Sequence, residues 1–149
     1  INNYITKDFK MIIMTRPIVD IVKSFVYIRN QNGWENPEIG LLDEDSDPIM
    51  RSLNGVRYAS SINSGQFLFL SYEDLIDNTE NTIDRIYKFF QWDKFQHSFS
   101  NIVNNNPEPD FLINMSGLHT IREQIGRRNI EVNLSKDLYE KAIGLSIFG

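Results

Sequence analysis

Cysteine is absent from the 149 residues, which excludes disulfides and thiolate metal sites and leaves the redox compartment open. Also missing are an apolar run of the ~18 residues a membrane span needs and a basic segment leading into an apolar one at the start. A soluble, cytoplasmic protein with no membrane partner is therefore expected. Positive charge is in deficit, with 15 Lys and Arg against 20 Asp and Glu and a net charge of −5. Non-specific nucleic-acid binding depends on neutralising phosphates, so nucleic acid is not expected as a partner. The only histidines, His97 and His119, are far apart, and neither has a second ligand three or four residues away, so no metal is expected. The acidic stretch Asp43 to Asp47 lacks the glycine and closing glutamate of a calcium loop and reads as solvated. An initiating methionine is lacking as well: the first residue is Ile1, an apolar strand begins soon after it, and we expect the fold to be incomplete at its amino end.

What is present suffices for one core and predicts a single domain over residues 1–149, with 41% hydrophobic and 12% aromatic side chains. Met11-Ile12-Ile13-Met14 is short and continuously apolar, which predicts a strand buried on both faces. Pro17 suits the first position of a helix, in which Ile18, Ile21, Val22 and Phe25 form an apolar stripe while Asp20, Ser24 and Tyr27 fall elsewhere. A long surface loop is expected from Gln31 to Pro48, then a helix over Pro48 to Ser61 bent near Asn54-Gly55. Phe67 to Leu70 reads as a second buried strand. Asn78 or Thr79 caps a helix whose stripe is Ile83, Ile86, Tyr87 and Phe90. His97 to Asp110 is polar, and Pro107 and Pro109 forbid regular helix there. Leu118 to Ile125 predicts a short helix ended by Gly126, and Ser135 predicts the cap of a last helix over Lys136 to Ile143, stopped by Gly144. Alternating strands and helices of this kind predict an α/β fold with a parallel sheet.

Arg16 sits at the carboxyl end of the first strand, and Ser24 lies eight residues later on the polar side of the following helix. Ligands of open α/β sheets bind outside the strands' carboxyl ends, where helix amino termini offer N–H groups to anions. An arginine there supplies a planar fork matched to phosphate, and a serine adds a neutral donor. The run Arg16-Pro17-Ile18-Val19-Asp20-Ile21-Val22-Lys23-Ser24 resembles the 3′-phosphate motif of sulfotransferases that use 3′-phosphoadenosine 5′-phosphosulfate. A second block, Phe69-Leu70-Ser71-Tyr72-Glu73-Asp74-Leu75 with Asn78-Thr79-Glu80 and the helix ending Tyr87-Lys88-Phe89-Phe90, resembles the family's Tyr-Glu-Asp-Leu strand end and next helix. The likeness covers about Lys10 to Trp92, and more loosely Gly117 to Arg122, which is similar to bacterial and phage-type members.

The resemblance implies a three-layer, nucleotide-kinase-like fold of which this chain is the C-terminal part. It implies that Arg16 and Ser24 bind the 3′-phosphate of the cofactor or of its product adenosine 3′,5′-bisphosphate, and that Tyr72 reaches the adenine region. It also implies a lesser contact from Arg122, with His119 beside it, and a small-molecule or glycan acceptor. Two departures stand out. Pro17 directly follows Arg16, where many members place it one residue later, and nothing matches the family's phosphosulfate loop: Asn54-Gly55, Ser64-Gly65 and Ser116-Gly117 are isolated pairs. The His or Glu base that follows that loop is missing too, so no catalytic residue can be named. Glu73 and Asp74 read as structural, Asp74 as a helix cap, and Asp20 as a first-turn carboxylate paired with Lys23. Arg127-Arg128 with Arg122 can add positive potential near a diphosphorylated nucleotide, although such a pair is more simply a solvated helix end. Sulfuryl transfer to a hydroxyl or amine is the expected activity. A non-catalytic module descended from such an enzyme is the alternative, and a nucleotide kinase would need a Walker loop not found here.

Overall fold

The computed structural model describes residues 8–43, 47–62, 64–105 and 109–145. Two strands, β1 (Met11–Thr15) and β2 (Phe67–Ser71), pair in parallel, with Met11 opposite Phe67 and Thr15 opposite Ser71. The helices are α1 (Ile18–Gln31), α2 (Pro48–Ser61), α3 (Tyr72–Asp77), α4 (Thr79–Phe90) and α5 (Lys136–Gly144), with a 3-10 turn at Asp110–Ile113. An α/β arrangement with a parallel pair crossed by helices is what the apolar runs demand.

α1 forms where Ile18, Val22 and Val26 recur at one-turn spacing and bury a stripe. That stripe meets Leu41 and Leu42 from the following loop, Ile49 and Leu53 of α2, and Leu138 and Ala142 of α5. The core therefore joins the first helix to the last. Asp47 caps α2, accepting from Leu42 N–H at 2.7 Å and Ile49 N–H at 3.1 Å, and Ser135 Oγ caps α5 through Leu138 N–H at 3.3 Å.

Several expectations need correction. The strands are not buried on both faces: Ile13 and Thr15 are buried, whereas Met11 and Met14 are exposed, because two strands leave part of the sheet uncovered. Pro17 stands just before the helix rather than inside it. α2 runs unbroken through Asn54-Gly55. A short helix, α3, intervenes after β2, capped by Ser71 Oγ, which accepts from Asp74 N–H at 2.9 Å. Asp74 is thus inside a helix, 3.7 Å from Arg85, and caps nothing. Asn78 holds the cap position of α4 without a side-chain bond, and Thr79 donates instead to Leu75 O at 2.7 Å. The stripe of α4 is only half-buried; the buried side chain is Thr82, whose hydroxyl donates to Asp74 O at 3.0 Å.

Asp47, read as part of a solvated loop, is 5% exposed, while residues 44–46 lie outside the described residues, as does Pro107. Asp20 lies in the first turn of α1 but makes no ion pair with Lys23 among the described residues. Leu118 to Ile125 is not helical. Gly117 adopts φ +91°, Asp110 captures the His119 N–H at 2.8 Å, and Gln124 pairs across an isolated antiparallel bridge with Ser100. The bridge takes the Ile125 N–H to Phe99 O at 3.2 Å, a donor that a helix would have turned back to Ile121.

Candidate functional site

The register of the sheet sets the site. Because Thr15 faces Ser71, the next residues, Arg16 and Tyr72, leave the sheet side by side, and the Arg16 guanidinium lies over the Tyr72 ring at 4.4 Å from its centroid. Arg16 Nε is buried and has no hydrogen-bond partner among the described residues. An unsatisfied buried donor on a cation is costly unless a ligand meets it. Ser24 stands two turns along α1, with Tyr27 one turn further.

These four side chains line one cavity of about 450 Å³, within the roughly 300–1,000 Å³ of small-molecule sites. Its far wall comes from the segment after the 3-10 turn: Ser116, Gly117, Leu118, Thr120 and Arg122, then Arg128. Arg16, Ser24, Tyr72 and Arg122, all four expected from sequence, are therefore brought together. His119 is not; its ring points to Asp110 rather than into the cavity.

Asn32 holds this wall to α1. Its Nδ2 donates to Ser116 O at 3.1 Å and its Oδ1 accepts from Ser116 N–H at 2.9 Å, a side-chain imitation of strand pairing. Trp34 Nε1 donates to Asn114 O at 2.9 Å. Within the segment, buried Asp110 accepts from the His119 N–H at 2.8 Å and from its Nδ1 at 2.7 Å. The backbone N–H of His119, then its imidazole, hold the Asp110 carboxyl below the ordinary carboxylate range, against the opposing effect of burial.

Sequence reasoning missed Tyr27, and for Arg127-Arg128 it weighed positive potential near a nucleotide against a solvated helix end without separating the two arginines. Arg128 stacks over the Tyr27 ring at 4.3 Å, whereas Arg127 turns away to an ion pair with Asp77. The Arg127 fork holds the Asp77 carboxyl below its usual range. Adjacent arginines thus part company because only one finds a carboxylate. No spacing rule could show this, since Tyr27 and Arg128 are brought together by the tertiary fold.

The electrostatics are one-sided. In a chain with five more acidic than basic residues, three arginines line the cavity, and among the described residues lining it there is no carboxylate and no imidazole. None of Arg16, Arg122 and Arg128 forms an ion pair among the described residues. Such a site attracts an anion with several acceptor oxygens. It offers positioning, and among the described residues lining it no carboxylate or imidazole is present to take a proton at neutral pH. On its other side Arg16 borders a smaller cavity of about 200 Å³ between α1 and α2, lined mostly by apolar side chains such as Ile21, Phe25 and Leu53.

No curated protein and no solved structure matches the chain significantly. The family model described as the sulfotransferase domain matches residues 2–107, a span that holds β1, β2, Arg16, Ser24 and Tyr72. With most of its length matched, and with an arginine-lined cavity at the strand ends, the chain belongs to the sulfotransferase domain family.

Proposed function

We propose that the arginine-lined cavity holds the 3′-phosphoadenosine part of 3′-phosphoadenosine 5′-phosphosulfate, and that the chain serves sulfuryl transfer to a hydroxyl or amine of a small-molecule or glycan acceptor. Sulfotransferase-type function follows from the family; the donor, the acceptor class and a cytoplasmic setting are our reading. Completion of the parallel pair into a three-layer sheet belongs to the same reading. The observation that carries it is the set of three carboxylate-free arginines around one cavity, with the buried Arg16 Nε unsatisfied. A 3′-phosphate would satisfy that donor, with the Ser24 hydroxyl as a second.

When bound, the cofactor supplies the sulfuryl group: the acceptor oxygen or nitrogen bonds to sulfur, the bond from sulfur to the 5′-phosphate oxygen breaks, and the acceptor's proton passes to a base. The residues described here anchor the nucleotide and fix its orientation. Since no carboxylate or imidazole faces the cavity among the described residues, the base is not assigned to it. That same observation favours, as a second reading, a nucleotide-holding module without chemistry of its own.

Calorimetric titration with adenosine 3′,5′-bisphosphate and with adenosine 5′-monophosphate tests the proposal. Binding should require the 3′-phosphate, and Arg16→Ala should weaken it roughly 10- to 100-fold, the value of a charge-assisted hydrogen-bond pair. Equal affinity for the two nucleotides, or an unaffected Arg16→Ala variant, would sink it. Sulfuryl transfer to a panel of phenols, amines and sugars, assayed with the cofactor, separates enzyme from module.

A further inference from the structure

Arg128 is exposed, and a long exposed cation ordinarily samples many rotamers. Here it does not stand alone. Its guanidinium lies 4.3 Å from the centroid of the Tyr27 ring, well inside the range of a cation–π contact. Tyr27 is half-buried, and its backbone on α1 is anchored by the buried side chains of its neighbours Val26 and Ile28. The Tyr27 hydroxyl makes no hydrogen bond among the described residues, which leaves the ring face as its contribution. The pairing repeats that of Arg16 over Tyr72 at 4.4 Å in the same cavity. Each arginine is held by an aromatic face rather than by a carboxylate, so each keeps its full positive charge for a ligand.

Resting on the nucleotide reading above, we infer that Tyr27 is a positioning residue of the site: its ring pre-sets Arg128 as a second cation beside Arg16, so that the cavity selects a nucleotide carrying two phosphate-type groups over one carrying a single group. Pre-organisation of this kind raises affinity by removing the ordering cost at binding. It also predicts which chemical part of Tyr27 matters. Phenylalanine keeps the face, and leucine keeps the apolar bulk without it.

The test is calorimetric titration of the full chain and its Tyr27→Phe, Tyr27→Leu and Arg128→Gln variants with adenosine 3′,5′-bisphosphate and adenosine 5′-monophosphate. Tyr27→Phe should stay within about twofold, while Tyr27→Leu should bind the bisphosphate about fivefold more weakly and lose the same factor in selectivity over the monophosphate. In the Arg128→Gln background Tyr27→Leu should add nothing further. An unchanged Tyr27→Leu variant, or a Tyr27→Phe variant as weak as Tyr27→Leu, overturns the inference. Failure of the unmodified chain to bind the bisphosphate overturns the nucleotide reading and this one together. Loss in Arg16→Ala with no change in Tyr27→Leu overturns this one alone. If Tyr27→Leu does not fold, nuclear magnetic resonance of the unmodified chain decides: the Arg128 side-chain protons should lie upfield, shielded by the Tyr27 ring, and move on adding bisphosphate. Unshielded, ligand-insensitive protons refute it.

Discussion

Replacing Asp47 by alanine should be among the most damaging single changes available at a charged residue of this protein. Its carboxylate is 5% exposed and accepts two backbone N–H groups, from Leu42 at 2.7 Å and from Ile49 at 3.1 Å. The Ile49 bond is the helix cap of α2, whose loss costs about 1 kcal/mol. Leu42 is fully buried and takes the uncommon φ of +61°, so its N–H would be stranded without water or carboxylate, at about 1–3 kcal/mol. The total is about 2–4 kcal/mol, which for a chain of this length lowers the melting temperature by about 5–15 °C. Asp43 supplies the control: it lies 3.8 Å from Lys141 with both partners about half exposed, and Asp43→Ala should cost under about 0.5 kcal/mol. Thermal unfolding followed by circular dichroism at neutral pH measures both. Equal melting temperatures for the two variants would refute the assignment of Asp47 as a buried anchor.

Two further outcomes are expected. Ser24→Ala should weaken adenosine 3′,5′-bisphosphate by about 2- to 10-fold, the value of one neutral hydrogen bond, and leave adenosine unaffected in the same calorimeter. Asp110 has its folded-state pKa held below the ordinary 3.8, so its contribution to stability is complete above that value and lost as pH falls through the lower folded pKa. The melting temperatures of Asp110→Asn and the unmodified chain should therefore differ at pH 7 and draw together only as the pH falls below the ordinary carboxylate range; a gap that stays constant into acid would contradict the role of the carboxylate.

Legibility in the sequence followed the range of the interactions involved. β1, β2 and α1 could be read because unbroken apolar runs and one-turn spacing reflect burial directly, and α5 because Ser135 and Gly144 mark its ends. The helix expected at Leu118 to Ile125 was a false signal: Leu118, Ile121 and Ile125 mimic an apolar stripe, but the bridge beside Ser100 takes the Ile125 N–H that the helix needs. α3 escaped notice because six residues are too few for periodicity, and its Ser71 cap looked like the end of a strand. Of the residues around the cavity, Arg16 and Tyr72 could be placed from sequence because each directly follows a strand, and Ser24 because it lies on the polar side of the helix that follows. The contact of Arg128 with Tyr27 was not legible, because it joins residues about a hundred positions apart. Asp47 illustrates the same limit: a carboxylate in an acidic run looks solvated until the N–H groups around it are counted.

The cavity's near wall is made early in the chain and its far wall late. Arg16 and Ser24 precede Arg122 and Arg128 by about a hundred residues, and α5, which seals α1, comes later still. At synthesis rates of about 5–20 residues per second, a nascent chain would carry Arg16 for several seconds before the opposing arginines leave the ribosome. During that interval the half-made site has no means of gripping a dianionic ligand from both sides. On the nucleotide reading proposed above, only a chain that already carries Arg122, Arg128 and the α5 packing could be stabilised by the ligand.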